Sequence, residues 1–216
     1  MEVKNMWEII IKGGPLMILI ILASIIGLAV VLEKLWHLKR AEINTKEFMT
    51  EIIEKVKRNK IIDAIDMCNA TSGPIASIVK AGILKHDRPR VDIKQAIEDA
   101  GIHEVPRLEK NMGILATIAH ISPLLGLLGT VTGMVKAFQV IENKATAFSP
   151  VNPGDLAGGI WEALITTVAG LVVAIPAYVA YNFLISKIDG FVLEMEKSAT
   201  DLINVLETRR DDEDEV

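Results

Sequence analysis

Asp155 and Lys187 bracket the stretch DLAGGIWEALITTVAGLVVAIPAYVAYNFLISK, whose interior holds one charged side chain, Glu162. Roughly 20 apolar residues already cross the hydrocarbon core, so this stretch crosses with length to spare. A carboxylate retained inside hydrocarbon costs about 2.5–3.5 kcal/mol even on insertion scales, so an acid kept there faces protein or a water-filled path. At about 100° per residue, Glu162 aligns with Thr166, Ala169, Val173, Pro176 and Ala180. Ala163, Thr167, Gly170, Ala174 and Ala177 form the adjoining strip, while Leu164, Val168, Leu171, Val172, Ile175 and Val179 occupy the opposite face. One small, polar side and one bulky, greasy side are the marks of a helix packed in a bundle and wetted by lipid.

Two further uncharged runs, Gly13 to Leu32 and Asn111 to Val135, indicate three spans in all. The fold class is an all-α membrane protein with three transmembrane helices and long cytoplasmic helical extensions. Residues 1–12 form an interfacial amphipathic segment; lacking a small-residue cleavage site, 13–32 is a retained first span. Residues 33–110 form a cytoplasmic helical domain and 111–141 the second span. A periplasmic loop, 142–155, leads to the third span, 156–186. A cytoplasmic helix, 187–208, and an acidic tail, 209–216, expected to be unstructured, complete the chain.

Lys and Arg set the orientation. Residues 33–110 hold fifteen of them, against four in the segments assigned to the opposite side, which places the amino terminus outside and the carboxyl terminus in the cytoplasm. Within 33–110, Asn44 to Glu47 fits a capping box, TSGP and DRPR break the chain, and Pro106 marks where a new helix could begin. Beyond the third span, apolar residues recur at spacings of four and three through Leu184, Ile188, Val192, Met195, Ala199, Leu202 and Leu206. That pattern predicts a bundle with copies of the same helix or with the second helix.

On the second span, Ala116, Ala119, Pro123, Gly126, Thr130, Gly133 and Ala137 share a face, and Gly129 with Gly133 makes a GxxxG pair. Gly126, Gly129, Gly133, Ala163, Gly170 and Ala174 are the candidate helix-packing residues; Pro123 and Pro176 are candidate kinks, each freeing a carbonyl four residues back. The polar side chains on these two small-residue faces are Glu162, Thr130, Thr166 and Thr167. Hydroxyls both donate and accept, which suits them to hold water beside the acid. The alternatives stay open: Glu162 as an acid satisfied by a helix amino terminus, and the threonines bonded to their own backbone. His120 suits polar contact between helices more than proton relay. Cys68 reads as a small buried side chain, and the four histidines offer no metal-ligand spacing with it. No nucleophile, nucleotide loop or cofactor motif points to an enzyme, and nothing points to nucleic acid.

The segments ISPLLGLLGTVTGM and GIWEALITTVAGLVVAIPAYVAYN, with the leading KGGPLMILIILASIIGLAVVLEKL, resemble the ExbB/TolQ branch of the MotA/TolQ/ExbB proton-channel family. The resemblance implies a homopentameric ring in the bacterial inner membrane. Its second and third helices would line a pore holding a dimer of a single-span ExbD/TolR-like partner. It implies that Glu162 is the pore carboxylate, that Thr130 and Thr167 are the ring threonines, and that these with Thr166 form the candidate proton pathway. It also implies a motor subunit driven by the proton motive force, serving outer-membrane transport or envelope processes, with a TonB-like or other periplasm-spanning effector as a further partner. Thr166 stands where the family often has alanine, and His120 at a usually small or apolar position. A non-conducting membrane scaffold and a motility-type or sodium-driven relative are the competing expectations.

Overall fold

The computed structural model describes residues 10, 12–146 and 150–214, the last five of these as backbone alone. Most of the interfacial segment 1–12, residues 147–149 of the loop, the side chains from Arg210 and residues 215–216 lie outside the described residues. The elements are α1 (Pro15–Ala41), α2 (Thr45–Lys57), α3 (Ile61–Ala70), α4 (Pro74–Ile83), α5 (Arg90–Glu109), α6 (Met112–Thr146) and α7 (Pro153–Asp214). No strand occurs among the described residues, and three helical stretches are long and apolar enough to cross a membrane. The chain forms two compact units: one holds residues up to Leu32 with Asn111–Phe183, the other Glu33–Lys110 with the chain from Leu184.

In the first unit, α6 and α7 run antiparallel and touch through glycines. A Cβ at Gly133 would lie 2.5 Å from the Gly159 carbonyl oxygen, and one at Gly126 would lie 3.0 Å from the Thr166 carbonyl oxygen. A Cβ at Gly170 would lie 2.5 Å from the Ser122 carbonyl oxygen. Only residues without a side chain allow two backbones so near, which maximises dispersion contact where lipid offers no hydrophobic drive. Ala163, Thr166, Ala174 and Ala177 are buried on the inner side of α7, whereas Leu164, Val168, Val172, Ile175 and Val179 stand outward. The α1 helix presents Ile18, Leu22, Ile25, Leu28 and Leu32 outward and meets α6 at Gly27, next to Ile118.

The second unit has a core of ordinary aliphatic packing, with Ile52, Val56, Val79, Ile83, Leu184 and Leu202 at 0 % exposure. Asn44 caps α2 by accepting from the Glu47 N–H, and its amide donates to the Glu47 carboxylate at 3.0 Å. Gly73 takes a positive φ of 131° and hands the chain to Pro74 at the first turn of α4. Pro106 does not open a new helix: it lies inside α5, and the break falls at Asn111, with φ of 66°. Asparagine tolerates this left-handed backbone better than most residues. The end of α5 is also held by Lys34, whose Nζ donates to the carbonyls of Leu108 at 3.1 Å and Arg107 at 3.5 Å. Burial lowers the pKa of Lys34, Glu33 opposes the shift and Lys110 adds to it.

The buried stripe on the second half of α7 is Leu184, Ile188, Phe191, Met195, Ser198, Leu202 and Leu206. Within the chain its partners are α2, α4 and α5 of the same unit: a Cβ at Gly82 would meet Leu202, Thr45 donates to Glu194 at 2.6 Å, and Arg90 pairs with Glu207. Phe191 and Ser198 take the seam in place of Val192 and Ala199, so the buried stripe alternates strictly between spacings of four and three from Leu184 to Leu202. The α7 backbone stays helical to Asp214, past the start of the tail expected to be unstructured.

Gly133→Ala is expected to destabilise the chain by about 1–3 kcal/mol through overpacking against fixed backbone. Gly113→Ala, where nothing lies within 4 Å, is expected to have no such cost. Thermal unfolding in detergent micelles compares them, and equal effects would refute the close-approach account.

Candidate functional site

The antiparallel register that sets Gly133 against Gly159 and Ala163 also carries Lys136, one turn further along α6, to Glu162 on α7. The Lys136 ammonium donates to both carboxylate oxygens, at 2.6 Å to Oε1 and 2.7 Å to Oε2. The Glu162 side chain is only 12 % exposed, while that of Lys136 is 51 % exposed. A charge-assisted contact to both oxygens lowers the cost of keeping the acid ionised out of water, since the pair is neutral as a whole.

A third element completes the site. Gly14 has φ of 70°, and a Cβ there would lie 2.4 Å from Glu162 Oε1, so bare backbone faces the carboxylate just ahead of Pro15. Any side chain at this position would collide with the acid and strain the backbone. The amino-terminal end of α1 adds its partial positive charge on the same side. Glu162 is therefore level with the beginning of the first span.

The candidate hydroxyls are distributed around this pair with distinct commitments. Thr166 is fully buried against Gly129, its Oγ1 within 2.9 Å of the Glu162 carbonyl and 3.0 Å of the Ala163 carbonyl. Thr167 Oγ1 reaches the Gly126 carbonyl across the helix pair at 3.1 Å, and the Ala163 carbonyl on its own helix at the same distance. Thr130 donates to the Leu127 carbonyl at 2.6 Å. Gly126, Gly129, Gly133 and Gly170, with Ala163, gather on the α6–α7 contact, and Ala174 is buried on α7; Pro123 and Pro176 lie inside unbroken helices. His120 sits on the same helix pair, its ring edge-on to Tyr178 at 6.2 Å and its Nδ1 2.7 Å from the Ala116 carbonyl.

Ahead of the third span, the Lys144 ammonium, with the Asn152 N–H, holds the Asp155 carboxyl below the usual carboxylate range. Sequence reasoning singled out neither Lys136 nor Gly14. Lys136 is the only lysine within 111–141, and the GxxxG register would have pointed it at the acid. Gly14 gave no such signal, because its role depends on a fold contact between distant residues.

Three helices long and apolar enough to cross a membrane, meeting at a paired carboxylate, define a multi-pass membrane protein. The chain belongs to the MotA/TolQ/ExbB proton channel family, which residues 70–197 match, and within it to the ExbB/TolQ branch. It is similar to the biopolymer transport protein ExbB of Salmonella typhimurium, at 32% identity over 85% of this chain and 76% of that protein. An ExbB homolog of Methanothermobacter thermautotrophicus is 28% identical over 88% of this chain and 66% of its own length. The Tol-Pal system protein TolQ of Haemophilus influenzae is 39% identical over 48% of this chain and 45% of its own. With three apolar helices, membership makes this an inner-membrane, multi-pass protein.

A double-mutant cycle on Lys136→Met and Glu162→Gln is expected to return a coupling of about 0.5–3 kcal/mol in unfolding experiments. Additive effects would show that the pair does not interact in the folded chain. At Asp155 the depressed carboxyl means that its tie to Lys144 stabilises above the ordinary carboxylate value and is lost as pH falls through the folded value. Asp155→Asn is therefore expected to lower the melting temperature at neutral pH and to match wild type once that carboxyl is protonated.

Proposed function

We propose that this chain is the channel-forming subunit of a proton-driven ExbB/TolQ-type complex, with Glu162 as its proton-accepting group. The observation that carries the reading is the Glu162 carboxylate on a membrane-crossing helix, inside the family-matched segment and held by an ion pair that a proton can break. A proton arriving at Glu162 neutralises the carboxylate and releases the Lys136 ammonium, whose side chain is about half exposed. Lys136 then becomes a free counter-charge for an acid supplied by another chain. Loss of the proton restores the pair. Thr167 and Thr130 offer hydroxyl oxygens that can hold water along the helix pair, and Thr166 keeps the contact beside Gly129 closed.

One carboxylate and a few hydroxyls do not span a bilayer, so the path needs a partner's acid. A homopentamer around a dimer of a single-span ExbD/TolR-like protein supplies it, with the amino terminus periplasmic and the carboxyl terminus cytoplasmic. The work goes to outer-membrane transport or another envelope process, through a TonB-like or other periplasm-spanning effector. One observation favours a second reading, a non-conducting scaffold: the acid is already satisfied by Lys136 within a single chain.

Proton flux into vesicles holding this chain and its co-expressed partner separates the two. Glu162→Gln is expected to bring flux to the level of protein-free vesicles while the complex still assembles. Unchanged flux with an intact complex would make the carboxylate structural and install the scaffold reading.

A further inference from the structure

The second unit contains a cavity of about 690 Å³ that the proton path does not use. Its wall carries Arg40, Lys80, Arg107 and Lys110 against one acid, Glu104. That acid is already engaged, accepting from Arg107 at 3.1 Å and from Ser77 at 3.0 Å. From the geometry we propose that this cavity binds the phosphate of an anionic phospholipid headgroup.

Three physical features converge on an anion. The four cations outnumber the acid, so the cavity is positive at neutral pH. The α4 helix begins on its rim at Gly73 and Pro74 with no side-chain cap; Pro74 has no N–H, so Ile75 and Ala76 carry the first N–H groups of that helix, and no side chain accepts from them. The opposite dipole is muted: Lys34 covers the carbonyls of Arg107 and Leu108 at the end of α5, which would otherwise repel an anion. The buried Cys68 on the wall adds no charge, since burial pushes its thiol up to about 11.

Chain position favours a lipid over a soluble phosphate. Trp36 and Arg40 follow the end of the first span at Leu32 by four and eight residues, about 6 and 12 Å of helix rise. Lys110 immediately precedes the second span. The polar zone of a bilayer adds roughly 5–8 Å on each face, so along α1 Trp36 falls within it and Arg40 a few ångströms beyond. Trp36 is largely exposed, with the Arg40 guanidinium 5.8 Å from its ring, the amphipathic pairing suited to that zone. Basic residues at this depth each contribute attraction to anionic lipid.

The test uses the full chain in detergent micelles, with Trp7→Phe and Trp161→Phe so that Trp36 alone reports. It is titrated with dioctanoyl phosphatidylglycerol, dioctanoyl phosphatidylcholine and glycerol 3-phosphate. Phosphatidylglycerol is expected to saturate the Trp36 signal at a concentration about tenfold or more below phosphatidylcholine. Arg40→Gln with Lys80→Gln is expected to remove most of that preference while helical content stays unchanged. Lys110→Gln alone is expected to weaken it by a smaller factor, and Arg58→Gln with Lys60→Gln, outside the cavity, to leave it intact. Equal binding of the two lipids, or a preference that survives loss of the cavity cations, would overturn the proposal. Glycerol 3-phosphate binding as tightly as phosphatidylglycerol would reassign the cavity to a soluble phosphate.

Discussion

Close approach of the α6 and α7 backbones is the constraint from which the candidate site follows. Gly126, Gly129, Gly133, Gly159 and Gly170 let the helices meet at van der Waals distance, and such a contact admits one register. Slide either helix by a turn and a glycine would face a side chain. That register alone brings Lys136 to Glu162 and the Thr167 hydroxyl to the Gly126 carbonyl. Packing and chemistry therefore cannot be changed independently here.

In hydrocarbon every polar group needs an internal partner, and the chain meets this requirement in two ways. The hydroxyls of Ser122, Thr130 and Thr166 turn back onto carbonyls of their own helices, a local solution independent of the rest of the fold. Glu162 has no such local solution. Its partners come from α6 and from the residues ahead of α1, so its charge is supported only when all three segments are in place. A group whose compensation is entirely tertiary is also one whose protonation can be felt by the tertiary structure.

The second unit uses water-soluble logic on helices that belong partly to the membrane. Its core is aliphatic, most of its ion pairs lie on the surface, and Lys34, the one deeply buried cation among the described residues, serves a helix end instead of a carboxylate. Exposed pairs such as Arg58 with Glu54 contribute little net stability. The packing of the α7 stripe onto the unit's other helices holds this part together, and the same arrangement leaves the basic cavity open.

The sequence by itself determined the three spans, the helical class, the family and the two faces of α7. Each is written in local order: length of apolar run, 3.6-residue periodicity and unbroken motifs. It also exposed Glu162, because an isolated acid in hydrocarbon stands out without any fold. Only the tertiary structure decided that the acid is paired with Lys136 and faced by Gly14. It also decided that α5 runs past Pro106 to a break at Asn111, and that the long end of α7 packs on its own chain. These depend on contacts between residues far apart in sequence, where register and burial choose among partners that composition leaves equivalent.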